Sequence, residues 1–169
     1  MDRQERSEEI LTGAASAGER QRIVSRPQFV VRHTAARECE FAPHSHSAFT
    51  VTSILSGSML LTIGEAAFEL VAGQSAMTNV GEYHSARSSE VEFLSIGIGA
   101  GLVNELVAEL GLTRTNAEIL FRQPVVEDDL LLEMLRSVLV ELEGQQVGRG
   151  AMLDALVRQV VIHLLRSHL

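Results

Sequence analysis

Residues 44–57 read HSHSAFTVTSILSG, and this stretch decides the fold. Thr50 to Leu55 is rich in β-branched residues, which suit a pleated, half-buried strand. His44 and His46 stand at its entrance, two residues apart. Side chains at that spacing on a strand share a face, so both imidazoles are expected to point into the same interior. Gly57 punctuates the run. Beyond it, Met59 to Ile63 and Ala67 to Val71 flank Gly64-Glu65, which predicts a hairpin. Gly73 and Gly81 punctuate again, and His84 opens a later strand. Val91 to Ile98 (VEFLSIGI) alternates and stops at Gly99. Upstream, Phe29, Val30 and Val31 begin the strand zone. Short strands with glycine turns every ~8–12 residues predict a sandwich or barrel.

After Gly99 the period changes. Leu102 to Leu110 (LVNELVAEL) repeats at three and four residues and stops at Gly111, a C-cap signal. Pro124 and the acidic run Glu127, Asp128, Asp129 mark a second helix start, where carboxylates suit the dipole. Leu131, Leu135, Val138 and Leu142 form its apolar row. Gly144 to Gly150 breaks the chain. A third helix carries Leu153, Val157, Val160 and Leu164 at the same spacing, widened by Met152, Leu156, Val161 and Leu165. Such faces must be buried, either on the barrel and each other or in a dimer seam; the pattern leaves both open. The expected layout is a polar, mobile tail over 1–22, a barrel over 23–99 and a helical segment over 100–169, packed on the barrel and suited to self-association.

The bulk composition narrows the function. With 169 residues, 46% apolar and only 4% aromatic, aliphatic residues must build the core. Acidic residues outnumber basic ones, 22 to 14, for a formal charge of -8, and every basic residue is Arg. Such a surface repels phosphate backbones, so this chain is not expected to bind nucleic acid itself. The single cysteine, Cys39, excludes an internal disulfide; Glu38 and Glu40 beside it argue against a reactive thiolate. No apolar run reaches the ~18 residues of a membrane helix, and Met1 to Ile10 is charged rather than signal-like. No membrane association and a cytoplasmic location are expected.

The histidines then acquire a context. His44, His46, Thr50 and Gly57, followed by Gly73, Asn79, Gly81, His84 and Ser88, resemble the paired motifs of the cupin superfamily. Six of the nine motif positions match, including all three histidines and all three glycines. Thr50 replaces the usual glutamate, Asn79 the proline and Ser88 the asparagine. The resemblance implies a mainly β, jelly-roll-like barrel followed by C-terminal α-helices, with a pocket formed by His44, His46, Thr50 and His84. It also implies a metal set of His44, His46 and His84 for a divalent ion such as Zn, Ni, Fe or Cu. Two other readings stay open: a metal-free pocket, and histidines that merely satisfy each other in a core.

The order of barrel, helix, the segment FRQPVVEDDL (121–130) and a leucine-rich final helix is similar to the N-terminal sensing and dimerisation half of AraC-type transcription regulators. That resemblance covers roughly residues 27–169. It implies a small-molecule effector in the barrel, a homodimer through the C-terminal helices, and a separate DNA-binding domain absent from this chain, whether the sequence is a truncated piece or a standalone sensor. The alternatives are a metal-dependent dioxygenase or isomerase using the three histidines, and a dimerisation scaffold with a vestigial pocket. Among other residues, His163 and His168 are five apart, the wrong spacing for one metal on one helix face, and read as surface or interface residues. His33 could join the pocket. Glu82 and Tyr83 fall in the turn before His84, at the pocket mouth or simply exposed.

Overall fold

The computed structural model describes residues 20–112 and 120–169. The strands are β1 (Arg20–Ser25), β2 (Phe29–His44), β3 (Ala48–Ile63), β4 (Ala66–Val71), β5 (Gln74–Thr78) and β6 (His84–Gly99). Helix α1 (Ala100–Glu109), strand β7 (Val125–Glu127) and helices α2 (Asp129–Glu143) and α3 (Arg149–Ser167) follow. All pairings are antiparallel, in the order β1-β2-β6-β3-β5-β7, with β4 also on β3. The expected tail over 1–22 is shortened, because Arg20 already pairs with Ala35; its mobility concerns residues 1–19, which lie outside the described ones.

Three strands of 16 residues, β2, β3 and β6, carry the architecture. The sequence reads TVTSIL and MLLTI as separate strands broken at Gly57, but they form one strand with register shifts between Ile54 and Ser56 and between Gly57 and Leu60. The glycine bends the strand rather than ending it. Gly57 has φ +74°, and a Cβ there would stand 2.2 Å from the Glu90 carbonyl oxygen. The left-handed conformation and the close backbone approach both require glycine. The Gly64-Glu65 hairpin forms as expected, joining Ile63 to Ala66.

Alternation along the strands gives the sheet two buried faces. Phe49, Val51, Leu94, Ile96 and Ile98 pack with Val31 against the helices, joining Leu106, Leu135, Val157 and Leu164 in one core. Their strand neighbours Thr50, Thr52, Phe93, Ser95 and Arg32 face the other way and line an interior cavity. A second apolar cluster of Ile54, Met59, Leu61, Leu70 and Phe93 fills the far part of the barrel.

The helix rows visible in the sequence are consumed inside one chain. Leu131, Leu135, Val138 and Leu142 of α2, and Leu153, Val157, Val160 and Leu164 of α3, are all buried. Asp128 caps α2 by accepting from the Leu131 backbone N–H at 2.9 Å. Gly111, just past α1, has φ +65° and donates to the Ala108 carbonyl, as a helix-stopping glycine should.

Candidate functional site

His44 and His84 meet through the sheet ladder. They are direct cross-strand partners at the last pairing of β2 with β6, just after an irregularity between Phe41 and His44. Pro43 lies in that irregularity and has no N–H for the ladder, which accounts for the local shift. His46 does not sit on a strand, contrary to the expected shared face of one strand. It lies in the connection between β2 and β3, where its carbonyl accepts the Gly81 N–H at 2.8 Å. That bond holds the connection against the turn before β6, where Gly81 adopts φ +75°. The three rings still converge, with centroids 4.7 Å apart for His44 and His46, 4.4 Å for His44 and His84, and 5.1 Å for His46 and His84.

Backbone carbonyls fix the tautomers of two rings. His44 Nδ1 lies 2.7 Å from the Ala42 carbonyl, and His84 Nδ1 lies 2.9 Å from the Glu82 carbonyl. A carbonyl only accepts, so both Nδ1 atoms donate, and each neutral ring keeps a lone pair on Nε2. His44 Nε2 is 3.2 Å from His46 Nε2, so in the ion-free state His46 donates that proton. Burial, then the neighbouring His44 and His84 rings and the Arg32 charge, push the His46 pKa down to about 4. Burial also lowers His84. Neutral imidazoles at neutral pH are the form that ligates metals. One ligand atom from each ring lies within 4.8 Å of the others, and carbonyls behind two of the rings supply the outer-sphere orientation such ligands need. The donor chemistry therefore fits a divalent transition ion, with Thr50 contributing no charge where a glutamate would.

All four predicted pocket residues, His44, His46, Thr50 and His84, line one cavity of about 80 Å³. Sequence reasoning missed much of its chemistry. Arg32 lines the cavity at only 8% exposure. Strand register explains its placement: Arg32 pairs with Ser95, Ser95 with Thr52, and Thr52 with Ala76, so these four form one row across the cavity floor. Thr52 and Ser95 hydroxyls are 2.7 Å apart. Thr50 and Thr78 are direct partners in the next register pair. Their hydroxyls are buried and have no hydrogen-bond partner, at 6% and 5% residue exposure. Phe41, Met59, Leu61, Leu70 and Phe93 form the apolar wall. Among the described residues, none that lines the cavity is Asp or Glu. An arginine inside an apolar run (FVVRH, 29–33) was the one available signal, since buried Arg is rare.

Asn79, at the position where the motif has proline, earns its place differently. It donates to the Phe121 carbonyl at 3.2 Å and accepts from the Phe121 N–H at 2.9 Å. This seats the Phe121 ring edge-on to Phe49, with centroids 5.6 Å apart. His33 stays outside the cavity, 2.9 Å from Glu92 and 3.5 Å from Glu143. Tyr83 is 65% exposed, and Cys39 is buried in the second apolar cluster.

The expectation for His163 and His168 needs correcting. Both Nε2 atoms lie 2.7 Å from Asp128 Oδ2. Five residues on a regular helix would point the rings about 140° apart. His168, however, sits past the helix end at φ -129°, ψ 8°, and the non-helical residue swings its ring back toward Asp128.

A family model for the AraC-like ligand-binding domain matches residues 26–161. The chain belongs to the AraC-like ligand-binding domain family. A solved structure agrees on the fold. The AraC-like transcriptional activator CuxR superposes with TM-score 0.60 at 12% identity, over 83% of this chain and 52% of CuxR. The chain thus spans about half the length of that activator. A cupin superfamily protein from Desulfitobacterium hafniense matches 52% of this chain and 84% of its own at 14% identity, TM-score 0.46. No curated protein matches the chain. The fold is accordingly mainly β, a barrel of the AraC-like ligand-binding type followed by C-terminal α-helices. Among the described residues no helix is long and apolar enough to cross a membrane.

Proposed function

We propose that this AraC-like ligand-binding domain is the effector-sensing and dimerisation unit of a transcription regulator, and that its effector is a small organic anion. The barrel over 23–99 takes the effector, and the helices over 100–169 transmit its presence. The observation that carries the chemistry is the cavity lining. It offers Arg32, three imidazoles and two buried, unpartnered threonine hydroxyls and, among the described residues, no carboxylate. A buried hydroxyl without a partner costs about 1–3 kcal/mol, and a ligand oxygen would recover that. In a chain of net charge -8, this local excess of donors favours a carboxylate or similar anion, while Phe41, Met59 and Phe93 accept its apolar part. The volume suits a ligand of few heavy atoms.

His44, His46 and His84 would hold a divalent ion such as Zn, Ni, Fe or Cu. Such an ion would add positive charge and an open coordination position for the anion. The sensing reading is favoured over a dioxygenase or isomerase because, apart from the imidazoles, the lining supplies only hydroxyls as candidate bases.

The route from cavity to helices is one strand thick. Arg32, Thr52 and Ser95 face the cavity, while Val31, Val51, Leu94 and Ile96 on the same strands face α1, α2 and α3. An effector that favours one arrangement of the cavity row biases the helix packing by its differential contacts. Because the main helix rows are buried within the chain, a dimer seam would draw on the exposed Leu130, Val140 and Met152.

Thermal shift against a panel of small mono- and dicarboxylates, with neutral sugars as controls, tests the effector class. Carboxylates are expected to raise Tm in the wild type and not in Arg32→Met. A shift from sugars alone, or an equal carboxylate shift in both proteins, would refute the anion reading. Sedimentation of the wild type beside Val140→Glu tests the dimer; a monomer at all concentrations refutes it.

A further inference from the structure

The helical segment contains a second convergence of metal-ligating side chains, built from residues the sequence places 35 and 40 positions apart. We propose that Asp128, His163 and His168 form a divalent-metal site of the Zn, Co or Ni class, separate from the barrel cavity, which staples the end of α3 to the start of α2.

Three features support it. First, two imidazoles address the same carboxylate oxygen, Oδ2, each at 2.7 Å, whereas one would complete an ordinary Asp–His pair. Second, the carboxylate is already oriented. Its Oδ1 accepts the Leu131 N–H at 2.9 Å, leaving Oδ2 as a single donor aimed at the rings, as outer-sphere bonds orient metal-binding carboxylates. Third, the side chains are 14%, 12% and 15% exposed for His163, His168 and Asp128. They are sheltered enough to be held in place and open enough for an ion and its water to enter.

Geometry and charge are compatible with the ion. Metal–ligand bonds of about 2.0–2.2 Å in a tetrahedron place donor atoms about 3.4 Å apart. Each ring must therefore withdraw from Oδ2 by roughly 0.7 Å, a shift within reach of small side-chain torsions. The donor atoms already lie within 4.8 Å of one another. On binding, each neutral imidazole presents the Nε2 lone pair and carries its proton on Nδ1, so the ion replaces two N–H···O bonds with three coordinate bonds. One carboxylate and two imidazoles leave a position for water or an external ligand. A cation there also sits beside the carboxylate cap of α2, which offsets its repulsion from the helix N-terminus. The consequence is mechanical: His168 is the C-cap residue of α3, so an occupied site would fix the direction in which the chain leaves the last helix.

The test is metal stoichiometry of tag-free protein. In the His44→Ala/His84→Ala variant, which disables the barrel set, titration with Zn²⁺ or Co²⁺ is expected to load one equivalent and raise Tm. Adding His168→Gln or Asp128→Asn should remove both effects. If the barrel variant does not fold, wild type and His168→Gln are compared directly, with a difference of one equivalent expected. Absence of loading in the folded barrel variant, or loading that survives His168→Gln and Asp128→Asn, overturns the proposal; equal stoichiometry of wild type and His168→Gln does the same. None of these outcomes depends on the barrel effector.

Discussion

His46 should make the metal-free protein acid-sensitive over a defined range. The residue is 9% exposed, and burial beside two other imidazoles and Arg32 holds its folded pKa at about 4, against 6.5 ordinarily. A depressed folded pKa means the unfolded chain binds the proton first. Stability is therefore highest above pH 6.5 and falls as the pH drops from there toward 4. At about pH 5 an unfolded His46 is almost fully protonated and a folded one roughly a tenth so; integrating the difference from pH 7 gives a loss of about 2 kcal/mol. The assay is urea unfolding followed by far-ultraviolet circular dichroism, with chelator present, for wild type and His46→Gln at both pH values. Wild type should lose about 2 kcal/mol more than the variant on acidification. His84 is lowered too, chiefly by its own burial, so most of its contribution appears in both proteins and cancels. Equal losses would show that His46 is not held neutral by its surroundings, and the argument for a lone-pair-bearing triad would lose its electrostatic support.

Gly57→Ala should cost about 2–4 kcal/mol, read by chemical denaturation, because the new Cβ would meet the Glu90 carbonyl at 2.2 Å in a left-handed conformation; Gly73→Ala, with open space around it, should cost less. Thr50→Val and Thr78→Val remove hydroxyls that have no partner, so ligand-free stability should hold steady or rise by up to about 1 kcal/mol while the carboxylate-induced Tm shift shrinks. Leu135→Ala, at a fully buried position joining α2 to the sheet, should lose about 2–5 kcal/mol in the same denaturation assay.

Local pattern determined much of this protein on its own. Period-two runs rich in β-branched residues, glycine turns, and later three-and-four leucine spacing announce a β barrel followed by helices, because burial of one face imposes those periods. The spacing of His44, His46 and His84 against Gly57, Gly73 and Gly81 resembles the paired cupin motifs, and that resemblance implied a histidine pocket. What tertiary structure alone decided lies in register and chain ends. Gly57 bends a single strand instead of ending it, because the opposing Glu90 carbonyl approaches from a residue 33 positions away. Arg32 joins Thr52 and Ser95 only because β2 and β3 both pair with β6 in one register, and a slip of one residue would have turned it toward the helices. His163 and His168 share Asp128 because the chain leaves helical geometry at His168, a departure that no periodicity in the sequence encodes.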